Sequence, residues 1–135
     1  MASGVYNCFK GGAMAGQYSL VMDSSNCALM NSTHAFTATH TIWANVSANE
    51  MAAAGGYLAA GIRLTSLAII NSGTSTWDAA DVAWTSSTFS AAHAVIYDLT
   101  TGNSLVCSID FGGQKAVSAG TFTLQWSNTG IVTLS

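Results

Sequence analysis

The chain carries few side chains able to do chemistry, and their spacing excludes most reactions. Its histidines are His34, His40 and His93. Three imidazoles are enough to hold zinc, but zinc sites in small domains draw on closely spaced Cys and His pairs, and these positions match no such pattern. His93 reads more plainly as a strand residue on a partly polar face. Asp78 and Asp81 stand near each other beside a turn. Paired carboxylates can divide acid and base work in glycoside hydrolysis, although aspartates in such places commonly cap backbone amides. Asp98 and Asp110, near the ends of neighbouring strands, are placed to meet across a hairpin, where with carbonyl oxygens they would suit calcium. Serines abound, yet there is no Gly-x-Ser-x-Gly elbow and no phosphate-cradling glycine loop before a helix. Neither catalysis nor a cofactor or metal is expected.

Aromatic side chains offer a different chemistry. Trp43, Trp77, Trp84 and Trp126, with four tyrosines, would furnish a sugar-stacking platform on a β-sheet. Large aromatics at alternating strand positions belong more often to a core. That assigns Trp84 and Trp126 to the interior and leaves Trp43 and Trp77, in or beside loops, open to either role.

Strands must position these groups. Over residues 91–134 the segments Ala91–Leu99, Ser104–Phe111, Thr121–Trp126 and Gly130–Leu134 read as an antiparallel sheet. Its turns are Thr100-Thr101-Gly102-Asn103 and Ser127-Asn128-Thr129-Gly130. Leu105, Cys107, Ile109 and Phe111 alternate with Ser104, Val106, Ser108 and Asp110. Phe122, Leu124 and Trp126 alternate with Thr121, Thr123 and Gln125, so each strand has one face to bury and one to show. At the other end, residues 1–13 read as an N-terminal arm or short helix. Ser3 is placed to cap it, and Val5, Tyr6 and Phe9 lie on one stripe ahead of Gly11-Gly12.

Between these ends, Gln17–Met22 and Asn26–Met30 pair as a hairpin around Asp23-Ser24-Ser25, and Asn31–Ile42 is a long loop. Ser47-Ala48-Asn49-Glu50 matches a capping box opening a short helix that Gly55-Gly56 stops. Tyr57–Leu64, Ser66–Asn71 and Asp81–Thr85 are further strands, the last with Val82 and Trp84 on one face. This pattern predicts an all-β, mainly antiparallel fold over residues 1–135: a single-domain β-sandwich or small open barrel with one or two short helices. A chain of 135 residues can bury a real core. It has no proline to blunt a sheet edge, which favours an assembled state in which neighbours cover the edges.

Composition points the same way. Half the residues are hydrophobic and 7% are charged, against about 25% in an average soluble protein. So weak a charge gives little repulsion between copies. Lys10, Arg63 and Lys115 cannot neutralise a run of phosphates, which disfavours nucleic acid as a partner, and no basic segment suits an anionic membrane. Cys8, Cys27 and Cys107 are unpatterned and read as free thiols of a reducing cytosol. There is no signal-peptide pattern and no long apolar run, so secretion is not expected and the Asn31-Ser32-Thr33 and Asn45-Val46-Ser47 acceptor patterns are chance matches.

A series of blocks carries one more inference. In order stand Met1-Ala2-Ser3-Gly4-Val5-Tyr6-Asn7, Val46-Ser47-Ala48-Asn49-Glu50, Gly55-Gly56-Tyr57 and Asp78-Ala79-Ala80-Asp81-Val82-Ala83-Trp84. After them come Ala94-Val95-Ile96-Tyr97, Ile109-Asp110-Phe111-Gly112-Gly113, Thr121-Phe122-Thr123-Leu124-Gln125-Trp126 and Gly130-Ile131-Val132-Thr133-Leu134. The series resembles a family of small virion structural proteins of tailed bacteriophages over nearly the whole chain. It departs from that family in its short, uncharged middle, Ser66 to Thr76.

The resemblance implies a non-enzymatic particle component, made in the host cytoplasm and assembled in many copies. Its partners would be the major capsid protein or other copies of itself. The leading expectation is a capsid decoration (cement) protein; the alternatives are a tail or neck component, a carbohydrate-binding host-attachment module and, more remotely, a glycosidase through Asp78 and Asp81. For contacts the chain offers Val5, Tyr6 and Phe9 as a docking arm. The exposed face of Thr121, Thr123 and Gln125, with Ser104, Ser108 and Asp110, is the other candidate.

Overall fold

Strands β1 (Gly4–Val5), β2 (Ser25–Met30), β3 (Ile62–Arg63), β4 (Ala68–Asn71), β5 (Ser75–Asp78), β6 (Val82–Asp98), β7 (Ser104–Leu124) and β8 (Val132–Leu134) follow one another along the chain. Helix α1 (Asn7–Met14) and 3₁₀ turns at Trp43–Asn45 and Ser47–Asn49 interrupt them. The computed structural model describes residues 3–71, 73–126 and 130–134, with the backbone alone at 133 and 134. Strands order as β1-β7-β6-β2-β3 in one sheet and β4-β5-β8 in the other, and every pairing is antiparallel. Among the described residues neither sheet closes into a barrel, so the all-β, mainly antiparallel class holds.

The β6–β7 hairpin is the spine. Its run Ala91–Tyr97, apolar but for His93, is buried without interruption, as expected of a strand covered on both faces. Alternation divides the core around it. Cys27, Leu29, Ala94 and Ile96 pack with Tyr57, Trp77, Trp84 and Val132 on one side, while Ala28, Met30, Val95 and Tyr97 pack with Tyr6 and Val46, backed by Phe36 and Trp43, on the other. The second side is thus covered by the irregular segment between β2 and the 3₁₀ turns, and the first by the small sheet and the Tyr57 loop.

Several expected boundaries move, each for a physical reason. Ser104–Phe111 and Thr121–Trp126 are not separate strands but largely one, β7. Between the pairs Ala91↔Lys115 and His93↔Asp110, only Ala92 faces the β7 stretch from Phe111 to Gln114. This wide bulge is turned by Gly112 and Gly113, with φ of 78° and 137°. The last strand pairs Val132 with Trp77 in the small sheet, not with β7; of its expected turn, Ser127–Thr129 lie outside the described residues. The N-terminal helix starts at Asn7, with Tyr6 rather than Ser3 at its N-cap, because Gly4 and Val5 pair with Ser108 and Cys107. It runs through Gly11-Gly12, where the Tyr18 ring leaves no room for a Cβ at Gly12.

Gln17–Met22 is irregular and ends in a turn over 20–22 instead of forming a strand, since β2 is paired with β6 on one edge and β3 on the other. Residues 47–49 form a 3₁₀ turn and residues 50–54 no helix, so the expected capping box is absent. The Glu50 carboxylate instead accepts the Tyr57 hydroxyl and the Ala60 amide, both at 2.6 Å. Asp98 pairs with Ser104 at the hairpin tip and Asp110 with His93, which separates the two carboxylates expected to meet.

Candidate functional site

Strand β4, sequence Ala-Ile-Ile-Asn, is one of the two outer strands of the small sheet, β8 being the other. Its inner edge is paired to β5 from Ala68↔Asp78 to Asn71↔Ser75. All four of its residues are exposed, with Ile69 at 43% and Ile70 at 51%. No charged residue occurs between Arg63 and Asp78. Strand edges on soluble proteins are ordinarily blunted by charge, proline or brevity. In the large sheet the outermost strands β1 and β3 are two residues each, and β1 covers β7 at Cys107 and Ser108; the rest of β7 carries Asp110 and Lys115, whereas β4 carries no charge.

Beside β4 runs an apolar groove of about 130 Å³, lined by Phe9, Ala13, Leu20, Ile69, Trp77 and Val132 among others. Helix α1 forms one wall through Phe9 and Ala13, and the small sheet forms the other. Met14, next in sequence to Ala13, is 91% exposed, and Met22, two residues past Leu20, is 82% exposed. Unbranched, polarizable methionines adapt to irregular partner surfaces, and exposed apolar surface in excess of scattered residues marks an interaction site.

The residues expected to make contacts do not converge. Val5 pairs at the edge of the large sheet, and Tyr6 and Phe9 are buried within the chain's own core, Tyr6 wholly so. This corrects the docking arm: the segment is docked already, in cis. Thr121 and Thr123, near the far end of β7, and Gln125 just beyond it are exposed as expected. Their proposed companions are not: Ser108 is buried, and Ser104 and Asp110 are half-buried. The sheet face that carries them is covered at the hairpin end by the segment after β2.

The other chemical candidates are occupied by structure. Trp77 is buried and its indole N–H donates to the Leu20 carbonyl at 3.2 Å, which removes it from any sugar platform. Trp43 is half-buried with its ring stacked on Tyr97, centroids 4.5 Å apart. Trp84 is in the core; Trp126 is half-buried against it, its indole donating to Ala80 O. Asp78 Oδ1 accepts the Ala79 amide and Asp81 Oδ1 the Trp126 amide, so both act as backbone caps. Among the described residues no three of His, Cys, Asp and Glu are grouped to hold a metal ion. Cys27 and Cys107 are buried free thiols, their pKa values raised by burial, that of Cys107 to about 12.

Two features escaped sequence reasoning. One is the exposure of β4, whose only signal was an Ile-Ile pair with no polar residue alternating. The other is a meeting of His34, on the segment after β2, with His93 on β6, ring centroids 5.1 Å apart. No spacing announces that contact.

Compared with known proteins, the chain matches no family model, no curated relative and no solved structure.

Proposed function

We propose that this chain is a non-enzymatic phage virion structural protein, a decoration protein attached in many copies to the outside of the head. The virion reading rests on the ordered sequence blocks that resemble such proteins. The observation that carries assembly is the open, uncharged, apolar edge of β4 beside its groove. An added strand, from a capsid subunit or a second copy, would pair with that edge by backbone hydrogen bonds and seat a side chain in the groove. Many such weak contacts on one shell add up through effective concentration rather than through one strong site. The reserved, nearly uncharged body suits close packing between copies.

The test is co-sedimentation of the purified protein with heads that lack it. Binding at regular occupancy, weakened roughly tenfold by Ile70→Lys, supports the proposal. Failure to bind heads, with binding to isolated tails instead, moves the protein to the tail; failure to bind either overturns the reading.

A further inference from the structure

The stretch from Ser32 to His40 lies over the face of the large sheet yet is hardly stitched to it. Among the described residues, two backbone hydrogen bonds join this stretch to the rest of the chain, from the His34 amide to Asn31 O at 3.3 Å beside its start and from the Asn7 amide to Ala38 O at 3.0 Å. Its two ends are firmly tied. The Asn31 amide donates to Asn49 O, while Leu105 and Trp43 amides bond to Thr41 O and Asn103 O. What holds the middle down is side chains: Phe36 against Tyr6, and His34, which is 1% exposed, against His93 and Ser108. His34 Nε2 lies 3.0 Å from Ser108 Oγ, a hydrogen bond whose direction follows the tautomer, and His34 Nδ1 is buried with no hydrogen-bond partner.

We propose that His34 and His93 form an acid-sensitive latch, which keeps residues 32–40 closed over the sheet while both rings are neutral and releases them when the rings are protonated. A proton on His34 would place a cation in a buried site beside a second imidazole, with a hydroxyl as its one hydrogen-bonding neighbour. Among the described residues, the other titratable groups facing the pair are His40 on the same stretch, Asp110 on β7 and the Tyr6 phenol beside Ser108. Asp110 serves His93, with Oδ1 3.8 Å from His93 Nδ1, and it does not compensate His34. The Gly112 amide holds Asp110 below the usual carboxylate range, and burial pushes Tyr6 up to about 12, so neither changes charge as the imidazoles titrate.

Burial, then the neighbouring imidazoles, push His34 down to about 4 from an ordinary 6.5. Burial likewise lowers His93, against the opposing pull of Asp110. The closed form therefore binds fewer protons than the open form. The contribution of the neutral rings to closure is full at neutral pH and is lost progressively as pH falls from about 6.5 toward about 4.

Hydrogen exchange on the full chain, corrected for intrinsic rates at each pH, reads this directly. Opening of residues 32–40 is expected to rise roughly 20-fold between about pH 7 and pH 5, while the β6 amides at 93–98 stay protected. His34→Gln, which retains a hydrogen-bonding group but cannot titrate there, is expected to flatten most of that rise. A pH-independent stretch, an unchanged slope in H34Q, or β6 opening in parallel would overturn the latch. Should H34Q not fold, the His34 ring proton titration followed by NMR in the natural chain decides: an unperturbed midpoint would also overturn it.

Discussion

At the scale of single residues, the stabilising contacts are concentrated where the chain touches itself from a distance. Trp77 is the clearest: 2% exposed, it joins both sheets and anchors Leu20 through its indole N–H. Trp77→Ala should cost about 3–5 kcal/mol in urea unfolding, as a large buried aromatic lost with a cavity left behind. Asp98 makes the opposite kind of statement. Burial, and the Asp23 carboxyl beside it, push its pKa up to about 6 from 3.8. The native state thus binds this proton more tightly than the unfolded chain, and stability from Asp98 falls as pH rises from about 3.8 through about 6. Asp98→Asn keeps an oxygen for the Thr100 and Thr101 amides that Oδ1 now accepts. Its Tm gain should be larger at about pH 7.5 than at about pH 4; an equal gain at both would contradict the shift. This linkage opposes that of the histidines, so a global Tm profile blends two slopes of opposite sign, and the latch is visible only in a local measurement.

At the scale of elements, the N-terminal segment changes meaning. Read from sequence, its apolar stripe was a docking arm; folded, β1 completes one edge of the large sheet and Phe9 fills the core. Deletion through Phe9 is therefore expected to abolish cooperative unfolding, seen as loss of near-UV circular dichroism, rather than to yield a folded protein that no longer attaches. The difference arises because an apolar stripe looks the same whether it serves a neighbour or its own chain. The hairpin Ala91–Phe111 was legible because alternation and a Gly-containing loop act over a few residues. The merging of β7 through Gly112-Gly113 was not, because a bulge and a turn use the same glycines. Trp77 as core and β8 as the partner of β5 depend on contacts between distant segments that no local period encodes. Glu50 likewise satisfied the capping-box pattern, but the Tyr57 hydroxyl and the Ala60 amide won its carboxylate.

At the scale of the whole molecule, β4 presents an uncharged outer edge, Ala-Ile-Ile-Asn, on the small sheet, with all four residues exposed. The low charge and all-β class that frame it were readable from composition and turn spacing; the edge itself became visible only when β4 was seen outermost. Ile70→Lys should leave stability nearly unchanged, since the side chain is 51% exposed, while weakening attachment. The most direct test is an image reconstruction of the purified particle. The account predicts density for this chain at repeated positions on the outer head, with Ile69 and Ile70 of β4 covered by a neighbouring chain. Particles lacking this density, or showing β4 facing solvent, would contradict it.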